Sequence, residues 1–126
     1  MSVAVTVGLV AAAGAVGAPA RYAIEVSTRA HRPTITPLGT LAVNVSGSLA
    51  LGILVGLVLA HGVSADVRTV VGTGFLGAYT TFSTYAYETV RRLEDGHARV
   101  ALAYAVGSLV ASTLAAAIGI AATGAW

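Results

Sequence analysis

The sequence of 126 residues contains no cysteine and no lysine, and only 10% of its residues are charged. Without cysteine, the chain has no disulfide, no thiolate metal site and no cysteine nucleophile. The net charge of +2 is small and scattered, which excludes the basic surface that is typical of nucleic-acid binding. Hydrophobic residues make up 56% of the chain and the mean hydropathy is +0.84. This composition indicates an integral membrane protein rather than a small soluble domain.

Four stretches almost free of charge divide the chain, each of about 20 residues and therefore able to cross a hydrocarbon core of about 30 Å. They predict a single all-α membrane domain over 1–126, with spans near 3–20, 38–60, 67–87 and 100–122. No positive residue precedes the first stretch, so we expect a retained helix rather than a cleaved signal peptide. The connections are short, so activity is expected within the membrane. A chain this small encloses little of a pore, which predicts an oligomer.

A run of glycine and hydroxyl residues interrupts the third stretch between Gly72 and Glu88. In lipid, a broken helix survives only where it is buried in protein or lines a wet cavity, because every backbone polar group needs a partner. The run therefore predicts an ion or substrate site. It also contains G-x-G-x-x-G, but a nucleotide-binding motif needs a soluble strand and helix around it. The three histidines lie in separate connections, so we expect no metal or catalytic cluster from them.

Polar side chains cluster in two other stretches. Asn44 lies among three hydroxyl residues of the second stretch, while Tyr104, Ser108 and Ser112 recur at every fourth position of the last. This spacing places the three hydroxyls on one helix face and indicates a shared polar track. Serines bonded to their own helix or to a neighbouring helix are the alternative. Small residues four apart in the second stretch, such as Gly52 and Gly56, predict close helix contact.

Three motifs in order along nearly the whole chain resemble those of the small four-helix fluoride channels, the Fluc or CrcB family. They are Gly-Ala-Pro-Ala-Arg-Tyr at 17–22, Gly-Thr-Leu-Ala-Val-Asn-Val-Ser-Gly-Ser at 39–48, and Gly-Phe-Leu-Gly-Ala-Tyr-Thr-Thr-Phe-Ser-Thr at 74–84. The resemblance implies four transmembrane helices with a break in the third, in an antiparallel dimer with two pores. It implies a multi-pass protein of the cell inner (plasma) membrane that releases fluoride passively and confers fluoride resistance, and not an enzyme.

The resemblance and the donor chemistry together give the expected pore residues: Asn44, Phe82, Ser83, Thr84, Tyr85, Tyr104, Ser108 and Ser112. The resemblance also implies a structural sodium ion at the dimer dyad, bound by the backbone carbonyls of Gly77 and Thr80. A kink held by the side chain of Thr80 or Thr81 is the alternative. Tyr85 departs from the family's second phenylalanine by its added hydroxyl. Arg21 and Glu88 are vestibule candidates, although snorkelling of Arg21 and capping of the span in water by Glu88 account for them equally well.

Fluoride is small and strongly hydrated, so a dry pore must replace its water with close donors, while a full positive charge would hold the ion too tightly. Neutral amide and hydroxyl donors and the electropositive edges of aromatic rings meet both needs. Phe82 as a plain core residue is the alternative. A small proton-coupled multidrug exporter would need a carboxylate deep in a span, whereas Glu25 and Glu88 lie at span ends. A non-transporting scaffold would leave the aligned polar stripes unexplained.

The arginines are distributed unequally between the two sides that four spans would create. Six belong to the first and third connections and one to the second: Arg21, Arg29, Arg32, Arg91, Arg92 and Arg99 against Arg68. Because excess Lys and Arg in short loops sets orientation, we expect the chain to insert mainly one way, with both termini outside. Its antiparallel partner is then expected to be a homologous second subunit of opposite bias. A self-paired antiparallel homodimer is the alternative.

Overall fold

The computed structural model describes residues 1–31 and 37–125, and no strand occurs in these two ranges. The elements are α1 (Val3–His31), α2 (Leu38–His61), α3 (Ala65–Val67), a π-helix (Arg68–Leu76), α4 (Gly77–Tyr79), α5 (Phe82–Glu94) and α6 (Ala98–Ala121). Within the described residues, α1, α2 and α6 are long and apolar enough to cross a membrane. The prediction of an all-α integral membrane protein is confirmed. Arg32, which belongs to the expected arginine-rich side, lies outside the described residues.

The first helix continues beyond its apolar stretch and ends at His31. Its charged last turns contact other elements instead of forming an irregular connection. Arg21 Nη1 donates to the Thr80 carbonyl at 3.4 Å, and Arg29 Nη2 lies 3.9 Å from Glu88 Oε1. The polar end of α1 therefore packs beside the segment that contains the glycine and hydroxyl run.

The extensive contact between α2 and α6 is formed by backbones that touch. An ideal Cβ on Gly52 would overlap the Ala116 carbonyl, and one on Gly119 would lie 2.7 Å from Ile53 N. Small residues permit such close approach, which favours helix association in lipid through van der Waals contact. The close helix contact predicted from Gly52 and Gly56 is present, since a Cβ on Gly56 would overlap the Thr123 hydroxyl.

The two ends of the bundle are joined by different contacts. At one end, the Met1 ammonium lies 3.3 Å from Asp66 Oδ2, and His61 Nε2 lies 2.9 Å from Thr123 O. The residues near both termini thus meet the end of α2 and the short helix α3. At the other end, the last turns of α1 meet α5 through Arg29.

The segment between α2 and α5 changes helix type before it breaks. In the π-helix the Gly77 amide closes the last turn on Gly72 O, five residues back. After α4 the backbone becomes extended, with φ/ψ of −84°/161° at Thr80 and −148°/122° at Thr81. The helix resumes at Phe82. Gly74 brings the π-helix against α1, where an added Cβ would lie 2.9 Å from Val10 O.

Candidate functional site

The extended backbone at Thr81 is paired with a side chain from α2. Asn44 Nδ2 donates to Thr81 O at 2.9 Å, and the Thr81 amide donates to Asn44 Oδ1 at 2.8 Å. One carboxamide therefore satisfies both backbone groups of the same residue. Since unpaired backbone groups cost several kcal/mol in hydrocarbon, this reciprocal pair is what allows the chain to leave the helix here.

The break removes the usual α-helical donors of two backbone carbonyls. In a continuous α-helix, each amide donates to the carbonyl four residues earlier. The Thr81 amide, which would serve Gly77 O, donates to Asn44 instead. The Thr84 amide, which would serve Thr80 O, donates to Thr81 Oγ1 at 3.2 Å as an N-cap. The α-helical donors of Gly77 O and Thr80 O are thus both directed elsewhere.

A groove of about 500 Å³ lies beside the break. It is lined by five of the predicted pore residues and by both residues of the predicted ion site: Asn44, Phe82, Tyr85, Ser108 and Ser112, with Gly77 and Thr80. Tyr104 does not line it, and neither do Ser83 and Thr84. Their hydroxyls lie near Thr81 Oγ1, at 3.4 Å and 3.0 Å, so they belong to the hydrogen-bonded turn that starts α5.

Aromatic rings form a row from this groove to α6. The ring centroids of Phe82 and Tyr85 are 5.7 Å apart, and those of Tyr85 and Tyr104 are 5.6 Å apart. Phe82 is 80% exposed, so its interpretation as a core residue of this chain is wrong. The Tyr85 hydroxyl donates to Ala105 O at 3.1 Å. The added oxygen of Tyr85 therefore anchors α5 to α6 and leaves the ring beside that of Phe82.

The hydroxyls on α6 have different surroundings. Tyr104 is buried, and its hydroxyl donates to Glu88 Oε2 at 3.1 Å. Ser108 is only 5% exposed, and its Oγ has no hydrogen-bond partner. Bonding of this serine to its own helix, the alternative considered from sequence, is therefore wrong. Ser112 is half-buried at the groove.

The two vestibule candidates both point into the protein. Glu88 is 8% exposed, so the expectation that it caps a span in water is wrong. Its burial arises because Tyr104 on α6 covers and bonds the carboxylate, while Arg92 donates to the Glu88 backbone carbonyl at 2.7 Å. Arg21 is half-buried and donates to the break rather than extending only toward water.

Thr81 entered the sequence analysis only as one of the threonines whose side chains could hold a kink, and its backbone pair with Asn44 was missed. It supplies the backbone pair for Asn44 and the side-chain cap of α5. A signal was available, because a threonine just before a helical run is a typical N-cap and an asparagine in an apolar helix requires a partner. The same reasoning does not identify which distant residue that partner is.

Comparisons with known proteins agree with the motifs. Residues 8–120 match the family described as "CrcB-like protein, Camphor Resistance (CrcB)". The chain is 44% identical to "Fluoride-specific ion channel FluC 1" of Leifsonia xyli subsp. xyli over 111 residues, which cover 88% of this chain and 81% of that relative. It is 48% identical to "Fluoride-specific ion channel FluC 2" of Mycolicibacterium paratuberculosis over 120 residues, which cover 94% and 93%. With its apolar helices, this chain is a multi-pass plasma-membrane protein that belongs to the CrcB family.

Proposed function

We infer that this chain is a fluoride-selective ion channel, not an enzyme, that lets cytoplasmic fluoride leave the cell passively and so confers fluoride resistance. The observation that carries the inference is the groove beside the break, where neutral donors and aromatic edges meet. The family match and relatives named as fluoride-specific channels agree with it.

The groove offers donors without a fixed charge. Asn44 uses one amide hydrogen on Thr81 O and keeps a second for an anion, since a carboxamide has two. Ser108 brings a hydroxyl with no partner, and Phe82 and Tyr85 bring ring edges. The described residues that line the groove include no charged side chain. Such donors replace the water of fluoride and still release the ion.

The groove is open on one side, so a single chain supplies only part of a pore. Phe82, which lies at the groove, is 80% exposed. We propose that the interrupted segment makes a fourth crossing and that a second chain, antiparallel to the first, covers this face to give a dimer with two pores. The unequal arginine distribution favours a homologous second subunit of opposite bias, because a chain with strong bias inserts one way. A homodimer is the competing arrangement.

The carbonyls of Gly77 and Thr80 are proposed to hold a structural sodium ion at the dyad. Both have lost their α-helical donors, and a dyad would double them to four oxygens, a set that suits a dehydrated monovalent cation. Thr80 O already accepts from Arg21 at 3.4 Å. A carbonyl oxygen has two lone pairs, so this long bond leaves one for the ion. When bound, sodium would neutralise the converging carbonyl dipoles and hold the two breaks together.

Fluoride efflux from liposomes that contain the purified chain tests the function directly. We expect fluoride efflux with strong rejection of chloride, and deletion in cells should increase sensitivity to fluoride, most at acidic pH. Efflux that follows chloride equally well would contradict selectivity, and proton-coupled uptake of cationic dyes would favour an exporter. Full efflux by the chain alone, with mixed orientation of a terminal reporter, would favour the homodimer over the heterodimer.

Replacement of sodium tests the ion site. The purified dimer is compared in sodium and in N-methylglucamine, a cation too large for a four-carbonyl site. We expect the dimer to dissociate or to lose efflux without sodium. A dimer that is equally stable and conducts equally in both buffers would favour a kink held by threonine side chains instead.

A further inference from the structure

A second groove, of about 360 Å³, lies between the beginning of α2 and the first half of α6. Its lining combines apolar or small residues with two hydroxyl residues of α6, and Arg99 lies at one end. The other lining residues are Leu41 from α2 and Val100, Ala103, Tyr104, Gly107 and Ser108 from α6. We call it the α2–α6 groove. It adjoins the groove at the break only through Ser108, which lines both.

Gly107 keeps this groove open. An ideal Cβ on Gly107 would have no atom within 4 Å, in contrast to Gly52 and Gly119, which touch the backbone of the facing helix. Gly107 is not among the glycines with positive φ. Neither packing nor backbone conformation therefore requires glycine at this position, although glycine inside a helix costs about 1 kcal/mol relative to alanine. What the missing side chain provides is open space along α6.

The end of the groove at Arg99 is positive for two reasons. The 24-residue helices α2 and α6 both begin there, at Leu38 and Ala98, with no acidic residue in their first turns and no side-chain cap. Glu25 of α1 lies against Gly39 in the first turn of α2, so the uncompensated positive end is that of the α6 dipole. Arg99 lies in the first turn of α6, where a cation is disfavoured by that dipole. It is exposed and makes no ion pair with the described residues.

The depth of these residues matches that of a phospholipid. Arg99 immediately precedes the apolar stretch that begins at Val100, so it lies at the level of lipid headgroups. Ala103 and Gly107 follow about one and two turns deeper, at about 5.4 Å per turn, at the level of acyl chains. We propose that the α2–α6 groove binds one anionic phospholipid, with its phosphate on Arg99 and an acyl chain over Ala103 and Gly107. A free phosphate would leave the apolar part of the groove empty.

This lipid site goes beyond fluoride conduction and rests only on the position of the chain in the membrane. Because Ser108 separates the two grooves, an acyl chain in the α2–α6 groove would lie against one wall of the groove at the break. The bound lipid would thereby replace a side chain that Gly107 lacks and support α6 from the membrane side.

Lipid retention by the full chain tests the proposal. The purified protein in detergent is mixed with equal amounts of phosphatidylglycerol and phosphatidylcholine with identical acyl chains, and bound lipid is counted by native mass spectrometry. Arg99→Gln removes the cation and Gly107→Leu fills the groove. Arg91→Gln and Gly8→Leu are matched controls, since Arg91 is an exposed arginine paired with Asp95 outside the groove and Gly8 is another glycine with nothing nearby.

We expect the wild type to retain phosphatidylglycerol over phosphatidylcholine and Arg99→Gln to retain roughly fivefold less phosphatidylglycerol, the size of effect typical of one basic residue at a lipid surface. Gly107→Leu should also retain less than the wild type, because the leucine occupies the space of the acyl chain. Both controls should match the wild type. Equal retention by Arg99→Gln and Arg91→Gln overturns the proposal, as does displacement of the lipid by millimolar inorganic phosphate.

A change of oligomeric mass in Gly107→Leu without a change in lipid retention would mean that protein covers the groove, which also overturns the proposal. If Gly107→Leu does not fold, the two arginine variants decide between the outcomes alone. If the chain proved not to conduct fluoride, these lipid measurements would be unaffected. The lipid site and the proposed function can therefore be disproved separately.

Discussion

Helix α2 makes two contacts of opposite kind. Against α6 it presents Gly52, where backbones touch with no side chain between them. Against the break it presents Asn44, whose carboxamide forms two hydrogen bonds with Thr81. In lipid, helices associate through packing and polar bonds because apolar burial offers little gain. The glycine contact sets how close two helices lie, whereas the asparagine contact sets which residue leaves the helix.

Substitution in the glycine contact should have the largest effect. In Gly52→Val, the new Cβ would overlap the Ala116 carbonyl, a backbone atom that cannot rotate away. Overpacking typically costs about 1–3 kcal/mol and sometimes more, and we expect loss of the folded protein in size-exclusion chromatography and thermal unfolding. Gly8→Val, at an open glycine on α1, is the control. Normal folding of Gly52→Val would show that the helices can separate.

Substitution in the polar contact should abolish function with less effect on stability. Asn44→Asp keeps an acceptor for the Thr81 amide but loses the donor to Thr81 O and adds a negative charge where an anion must pass. We expect no fluoride efflux and a loss of about 1–3 kcal/mol in the free energy of unfolding. Ser46→Ala, at an exposed position of the same helix outside the groove, should conduct. Efflux by Asn44→Asp at the wild-type rate would show that Asn44 does not line the pore.

Substitutions at Thr81 distinguish the role of its side chain, which caps α5, from the role of its backbone, which pairs with Asn44. Thr81→Ala loses the bond from the Thr84 amide but keeps the backbone pair with Asn44, so we expect a loss of about 1 kcal/mol in unfolding free energy. Thr81→Ser retains the hydroxyl and should be close to wild type in thermal unfolding. Equal destabilisation by both substitutions would mean that the methyl group, and not the cap, matters.

The smallest effect is expected at Tyr85. Tyr85→Phe removes the bond to Ala105 O and keeps the ring beside Phe82, so we expect a loss of about 0.5–1.5 kcal/mol in unfolding free energy and unchanged fluoride efflux. Tyr85→Leu removes the aromatic edge and should reduce efflux in the same liposome assay. Loss of efflux in Tyr85→Phe would place the hydroxyl in the conduction path.

The glycine half of this comparison could be predicted from sequence better than the polar half. Apolar length predicts α2 and α6, and the spacing of Gly52 and Gly56 predicts their close contact, because both signals are local. The partner of Asn44 lies 37 residues away, and no local pattern specifies it. Glu88 was open to two interpretations because its burial depends on Tyr104, on another helix. The loss of the α-helical hydrogen bond to Gly77 O could not be predicted either, because it depends on the Thr81 amide donating to Asn44 instead.

The π-helix at Arg68–Leu76 has a consequence for how this segment tolerates change in length. Each of its hydrogen-bonded rings contains one residue more than an α-helical ring. Deletion of a single residue there would leave a regular α-helix that still crosses the same distance and inserts normally. Because the extra residue is absorbed within the π-helical turns, the later residues would keep nearly the same direction about the helix axis, and the Thr81 peptide would still face Asn44. Deletion of one residue from the regular helix α2 before Asn44 would instead turn that side chain by about 100° and disconnect the two halves of the site.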